Sequence, residues 1–141
     1  MIRKANAVWK GGLKDGQGTV SSDSGVLKAV SYNFSQRFED QPGTNPEELI
    51  AAAHAACYSM ALSGDLGRAN LKPESVETKA SLTLERIEGV GFTTTRIHLE
   101  VLGKVPGVTQ EQFVGIAEGA KRNCPISRLL NTTITLDAKL A

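Results

Sequence analysis

The sequence predicts an α+β fold in which an antiparallel sheet packs on a buried helix, within a single domain over 1–141. The chain has 141 residues, of which 40% are hydrophobic and 22% charged, and this composition suits one packed core. Residues 49–64 contain no Asp, Glu, Lys or Arg. Several other segments alternate between apolar and polar residues, which is typical of strands.

Charge and hydropathy exclude some classes of protein. Lys and Arg number 16 and Asp and Glu number 15, so the chain lacks the basic surplus of a nucleic-acid-binding module. No uncharged apolar run reaches the roughly 20 residues of a membrane helix. Residues 1–6 show no apolar stretch of the kind that a secretory signal carries. We therefore expect a cytoplasmic protein without nucleic-acid or membrane partners.

The first third of the chain predicts a meander of three antiparallel strands at 6–10, 18–22 and 30–38. Turn-forming residues separate these segments, including the pairs at 11–12 and 15–16 and the run at 21–25.

Residues 47–66 predict a helix. Asn45 is a candidate N-cap, Pro46 suits the first helical position, and Glu47 and Glu48 lie in the first turn, where the helix dipole favours negative charge. A helix that is apolar on all sides must be surrounded by protein. Because one small domain can hardly cover it, we expect a second subunit to contribute.

The second half alternates more clearly. Two strands, 76–85 and 92–102, flank a turn at 88–89 and predict a ribbon with one solvated face. Thr109 and Gln112 form a candidate capping box for the next helix. Pro125 opens a shorter helix that ends at Leu130, and a strand follows at 133–140.

The two cysteines, Cys57 and Cys124, are the candidate chemical groups. A permanent disulfide is not expected in a reducing cytosol, so buried bystander thiols, a redox pair or a metal site remain open. Cys124 falls at a helix cap and follows Lys121 and Arg122, which predicts that it is the more acidic thiol. Cys57 lies in an apolar helix, where burial disfavours its thiolate.

Cys57 can be a nucleophile only if a cation is brought to it, and Arg37 is the best candidate. Aromatic residues flank Arg37, which indicates a half-buried strand position that needs a carboxylate partner. Glu47 lies closer to the Cys57 face of the helix than Glu48, which falls about 180° away. Since ten residues of helix span about 15 Å, we predict that Arg37 and Glu47 serve the Cys57 of a second subunit. An ordinary surface arginine is the alternative.

Zinc binding is a further alternative. His54 and His98 could be imagined as ligands beside the two cysteines. The sequence contains no Cys-x-x-Cys pair, and His98 falls on the solvated face of its strand. We therefore interpret His54 as a packed helix residue and predict no metal.

Several motifs together resemble the osmotically inducible protein C (OsmC) family, within the OsmC and organic hydroperoxide resistance (Ohr) superfamily. The resemblance spans the whole chain, and the context His-Ala-Ala-Cys is closer to the OsmC branch than to the Ohr branch. The matching segments are FSQRF at 34–38, GTNPEELIAAAHAAC at 43–57, NCPIS at 123–127, GTVS at 18–21, SGVL at 24–27 and TITLD at 133–137.

The resemblance implies an OsmC-like fold, with antiparallel sheets wrapped around a long buried central helix in an intertwined homodimer. It also implies a thiol-dependent peroxidase of the peroxiredoxin type that reduces hydroperoxides, preferably organic ones, in oxidative or osmotic stress defence. Cys57 would attack the peroxide, Cys124 would resolve the sulfenic acid as a disulfide, and Arg37 and Glu47 would activate the site.

No cofactor is implied, and the reductant would be an external dithiol: a lipoyl protein, thioredoxin or a small thiol. Leu49 and Met60 are expected to line an apolar pocket for alkyl hydroperoxides. The alternative function is a non-catalytic domain that binds a small molecule or a partner, with bystander or zinc-binding thiols.

Overall fold

The computed structural model describes residues 1–141, which form two compact units, Met1–Leu49 and Ile50–Ala141. The elements are β1 Ala5–Lys10, β2 Gln17–Ser22, β3 Val30–Asn33, α1 Phe34–Phe38, α2 Pro46–Arg68, β4 Ser75–Ile87, β5 Gly91–Lys104, α3 Gln110–Asn123, α4 Pro125–Leu129 and β6 Thr133–Leu140. The α+β class is confirmed. No helix is both long and apolar enough to cross a membrane.

The first unit contains the predicted meander, with the order β1-β2-β3 and antiparallel pairing throughout. The prediction that the third strand reaches residue 38 is wrong, because β3 ends at Asn33 and α1 follows directly. The Asn33 side chain accepts the backbone N–H of Gln36 at 2.9 Å and so caps α1. The Phe34 and Phe38 rings then pack one turn apart, with centroids 4.9 Å from each other.

Helix α2 begins as predicted. Pro46 is its first residue, and the Asn45 side-chain oxygen accepts the backbone N–H of Glu48 at 2.8 Å. The fully buried residues recur every fourth position and form one stripe: His54, Tyr58, Leu62 and Leu66. Other positions along the helix are exposed, so a single chain covers only part of a helix that the sequence predicted to be enclosed.

The second sheet has the order β4-β5-β6. Strands β4 and β5 form the predicted antiparallel ribbon, but β6 pairs with β5 in parallel, so the prediction of purely antiparallel sheets is wrong here. The reason is the connection: α3 and α4 lie between β5 and β6, and such a helical crossover returns the chain in its original direction.

The core of the second unit lies between this sheet and the helices. Alternate residues of β5 face inward and are buried, as predicted for Ile97, Leu99 and Val101. The Thr109–Gln112 capping box is present and starts α3. The core residues that α2 and α3 supply are Tyr58, Leu62, Leu66, Phe113, Ala117 and Ala120.

Candidate active site

The structure brings Cys57 and Cys124 together although 67 residues separate them in the sequence. Their sulfur atoms lie 3.3 Å apart, with the Cys124 thiol donating toward the Cys57 sulfur, and both thiols are free. Cys124 is fully buried, whereas Cys57 is partly exposed. Of the two, Cys57 is thus the sulfur that a small molecule can reach.

Cys124 lies at the junction of two helices. Its backbone N–H donates to the Ala120 carbonyl at the end of α3, and its carbonyl accepts the Arg128 N–H within α4. The predicted cap position of Cys124 is confirmed, yet its side chain makes no capping hydrogen bond.

A donor from the first turn of α4 serves the other sulfur. The backbone N–H of Ile126 hydrogen-bonds to Cys57, which favours the Cys57 thiolate. The sequence predicted that donors at this helix terminus would serve Cys124, but the Ile126 N–H serves Cys57 instead. Sequence reasoning missed Ile126, because a backbone donor leaves no signal in residue type.

The pKa of the Cys57 thiol is raised, chiefly because burial disfavours the charged form. The Cys124 thiol also raises it, and the Ile126 N–H acts in the opposite direction. The predicted effect of burial is confirmed. Within one chain, then, Cys57 favours the protonated thiol, and a strong nucleophile requires a further source of positive charge.

Arg37 and Glu47 form the predicted ion pair. The Arg37 Nη2 lies 2.6 Å from Glu47 Oε1, and its Nε donates to both carboxylate oxygens at 3.1 Å. Glu48 instead accepts a hydrogen bond from the Thr44 hydroxyl at 3.0 Å. This geometry fixes the guanidinium through a charge-assisted fork.

Arg37 does not lie on a strand. It is in the last turn of α1, where its guanidinium carbon lies 4.9 Å from the centre of the Phe38 ring. The side chain is 37% exposed, and that of Glu47 is 15% exposed. The structure thus forms two pairs among the four predicted site residues: Arg37 with Glu47 in the first unit, and Cys57 with Cys124 in the second.

Neither histidine forms a side-chain hydrogen bond with a cysteine. His54 is fully buried and its Nε2 lies 2.8 Å from the Ser127 hydroxyl. The His98 Nδ1 lies 2.7 Å from the Thr135 hydroxyl on the half-buried face of its strand. No group of three or more His, Cys, Asp or Glu side chains is arranged to hold a metal ion.

Comparison with known proteins identifies the family. A model of the family described as OsmC-like protein matches residues 38–139. The chain is a member of the OsmC family. The match covers α2 with Cys57, the second sheet and the α3–α4 junction with Cys124, so the resemblance seen in the sequence is confirmed.

Individual OsmC-family proteins agree with this assignment. The chain is 49% identical to peroxiredoxin OsmC of Escherichia coli over 138 residues, which cover 98% of this chain and 96% of that protein. It is 32% identical to the organic hydroperoxide resistance protein OhrB of Bacillus subtilis, with 87% of each covered. The higher identity to OsmC agrees with the branch that the His-Ala-Ala-Cys context indicates.

Solved structures match the fold over nearly the whole chain. The crystal structure of the same OhrB gives a TM-score of 0.69 at 26% identity and covers 98% of both chains. An OsmC-like protein of Vibrio cholerae gives a TM-score of 0.78 and covers 99% of both chains, although only 18% of residues are identical. The OsmC-like fold predicted from the sequence is therefore confirmed.

Proposed function

We propose that this chain is a thiol-dependent peroxidase that reduces hydroperoxides, preferably organic ones, with Cys57 as the peroxide-attacking sulfur and Cys124 as the resolving sulfur. One observation carries this conclusion: in a member of a family that includes proteins named peroxiredoxin, two free thiols lie 3.3 Å apart and only Cys57 is partly exposed. No cofactor takes part.

The chemistry follows from this pair. The Cys57 thiolate attacks the distal peroxide oxygen, the O–O bond breaks, and Cys57 becomes a sulfenic acid while the alkoxide leaves and is protonated to the alcohol. The Cys124 thiol then attacks the oxidised sulfur, so that an S–S bond forms and water leaves. An external dithiol reduces the disulfide and restores both thiols.

The order of the two sulfurs rests on access and on the helix donor. Peroxide must reach the first sulfur, and Cys57 is the partly exposed one. The Ile126 N–H favours negative charge on that same sulfur. Cys124, being fully buried beside it, is sheltered from peroxide and positioned for the second step.

Arg37, held in place by Glu47, supplies the missing positive charge across a homodimer. Glu47 is ten residues before Cys57 on α2, which is about 15 Å along the axis, so the pair serves the Cys57 of the partner. Exposed, uncharged positions of α2 support the dimer. They include Ile50, Ala52, Ala53, Ala56 and Met60. Such a face is typical of a subunit interface.

The preference for organic hydroperoxides rests on an apolar cavity of about 170 Å³ in the first unit. Its walls include Val20, Tyr32, Pro46 and Leu49, and the last two flank Glu47 along α2. Met60 was expected to line a pocket with Leu49, but it is 78% exposed and belongs to the interface face.

We place this chemistry in the cytoplasm, in defence against oxidative or osmotic stress.

Steady-state turnover tests the function. With a hydroperoxide and an excess of dithiol, the wild-type chain should consume peroxide catalytically, and an alkyl hydroperoxide should be a better substrate than hydrogen peroxide. Cys57→Ser should abolish turnover, because no other thiol can reach the peroxide. Unchanged turnover in Cys57→Ser and Cys124→Ser would contradict the proposal and favour a binding module with bystander thiols.

A further inference from the structure

A second polar contact joins the two helices that carry the cysteines. The His54 Nε2 on α2 lies 2.8 Å from the Ser127 Oγ on α4. His54 is fully buried and Ser127 is 8% exposed, so the hydrogen bond between them is buried. A buried polar pair of this kind is costly to break, because each group would lose its partner without being hydrated.

The spacing of this pair matches that of the sulfurs. His54 precedes Cys57 by three residues, and Ser127 follows Cys124 by three residues. Residues three apart share one face of a helix. The His54–Ser127 hydrogen bond and the Cys57–Cys124 contact are therefore neighbouring links between the same two helices, about one turn apart.

Helix α4 depends on such links. It is only five residues long, and the side chain of its N-cap residue makes no capping hydrogen bond. Helices this short have little stability of their own in water. The position of Cys124 relative to α2 is thus determined on one side by the end of α3, where its N–H bonds to the Ala120 carbonyl, and on the other by what α4 contacts.

His54 acts in this link as a neutral group. Burial lowers the pKa of its imidazole, so the ring is uncharged at neutral pH. Its Nδ1 is buried and has no hydrogen-bond partner. Because a buried N–H without an acceptor is rarely tolerated, we place the ring proton on Nε2, which donates to the Ser127 hydroxyl.

We propose that the His54–Ser127 hydrogen bond is a positioning link that keeps Cys124 within reach of Cys57 after Cys57 has been oxidised. This inference rests on the roles proposed for the two cysteines. Formation of the sulfenic acid places an oxygen on Cys57 and alters both the contact between the sulfurs and the bond from the Ile126 N–H. The His54–Ser127 link contains no reacting atom and persists, so the Cys124 sulfur stays aligned while the S–S bond forms and water leaves.

Single-turnover kinetics separate the two steps. A hydroperoxide is mixed with the reduced homogeneous protein, and the rates of sulfenic acid formation at Cys57 and of disulfide formation are followed separately by stopped flow and quenched mass spectrometry. In Ser127→Ala we expect the first rate to stay within about twofold of wild type and the second to fall about tenfold or more, since small misplacements slow reactions between held groups strongly. The longer-lived sulfenic acid should also be oxidised further to the sulfinic acid by excess peroxide.

Two amide substitutions at His54 distinguish positioning from packing. In His54→Gln the side-chain amide can still reach the Ser127 hydroxyl, so the second step should remain within about threefold of wild type, whereas the shorter His54→Asn should slow it about as much as Ser127→Ala does. Ser59→Ala is the matched control, because Ser59 also donates a hydrogen bond from α2, at 2.7 Å, but to Thr78 rather than to α4. It should leave both steps unchanged.

Some outcomes would overturn the inference alone. One is disulfide formation at the wild-type rate in both Ser127→Ala and His54→Asn. The other is an equal decrease in the rates of sulfenic acid formation and disulfide formation in all the Ser127 and His54 variants, which would indicate a purely structural role. If Ser127→Ala does not fold, the rates of disulfide formation in His54→Gln and His54→Asn test the inference, and equal rates in these two variants would overturn it. A wild-type protein that forms no Cys57–Cys124 disulfide would overturn the proposed roles of the cysteines as well.

Discussion

At the residue scale, the two thiols differ through their surroundings rather than through their local sequence. The residues around Cys124 predict a helix-cap thiol, and the backbone confirms the cap. The donor in the first turn of α4, however, is the Ile126 N–H, which meets the Cys57 sulfur on the neighbouring helix. Donors at a helix terminus point outward from the helix, so they serve whatever the fold places in front of them. Local sequence does not contain that information.

The Arg37–Glu47 pair, in contrast, could be predicted from the sequence, because the residue types themselves indicate it. A guanidinium among aromatic residues needs a carboxylate, and helical angles favour Glu47 over Glu48. The structure confirms the pairing, with the Arg37 Nη2 at 2.6 Å from the carboxylate.

Arg37→Ala should slow the first chemical step without unfolding the protein. The pKa of Cys57 is already raised by burial, and removal of the partner's guanidinium would raise it further. The midpoint of the pH dependence of sulfenic acid formation should therefore move to higher pH, and a pKa about one pH unit higher makes the thiolate fraction at pH 7 about tenfold smaller. Arg37→Lys, which keeps the charge but lacks the fork, should have a smaller effect. An unchanged pH profile in Arg37→Ala would contradict the role of Arg37.

His54 makes the stability of the fold sensitive to acid. Its folded-state pKa lies below the ordinary value of 6.5, so the unfolded chain binds the proton more readily. The stabilisation from neutral His54 is therefore fully present above about pH 6.5 and is lost as the pH falls through the lowered folded-state pKa. The free energy of unfolding, measured by denaturant titration at pH 7 and pH 5, should fall more for wild type than for His54→Gln. An equal decrease in the free energy of unfolding of wild type and His54→Gln would contradict the role of His54 in this pH dependence.

At the scale of the elements, the start of a helix could be predicted where all the residues that form its cap lie in one short segment of the chain. The start of α2 follows from Asn45 and Pro46, and the start of α3 from Thr109 and Gln112, because capping bonds join residues that are close in sequence. The third strand was predicted too long because the capping role of Asn33 was not recognised. The parallel pairing of β6 depends on a crossover between distant segments.

The contact of β5 with α3 provides a test of packing between elements. A Cβ at Gly103 would collide with the Phe113 ring, whereas one at Gly115 in the middle of α3 would meet nothing. Gly103→Ala should therefore lower the free energy of unfolding by about 1–3 kcal/mol. Gly115→Ala should raise it by about 0.5–1 kcal/mol, since alanine favours the helix. Denaturant titrations of both variants measure this, and equal stability would contradict the packing of Gly103 on Phe113.

At the scale of the whole molecule, the apolar character of α2 predicts that more of its surface is buried than one chain can bury. Its buried stripe packs in the core, while Met60 on another face is 78% exposed. The second subunit could be predicted from the sequence alone, because the lack of charged residues in a helix is a property of composition. The sequence could not indicate which face of the helix the chain itself leaves exposed.

Met60→Glu should weaken the proposed homodimer, because it places a charge on an apolar interface. Sedimentation velocity should show a shift toward monomer, and peroxide turnover should fall in parallel because each Cys57 loses the partner's Arg37. Val90→Glu is the matched control, since Val90 is 74% exposed in the turn between β4 and β5. A Met60→Glu protein that remains dimeric and active would contradict this interface.

The most direct measurement for Cys57 as the reacting sulfur is a single turnover with one equivalent of an organic hydroperoxide per reduced chain. We expect both thiols to become untitratable, one equivalent of alcohol to appear, the chain mass to fall by about 2 Da, and peptide mapping to find one intrachain link between Cys57 and Cys124. Cys124→Ser should instead retain one oxygen on Cys57. Thiols that remain titratable after the peroxide is added, or oxidation that begins at Cys124, would contradict the mechanism.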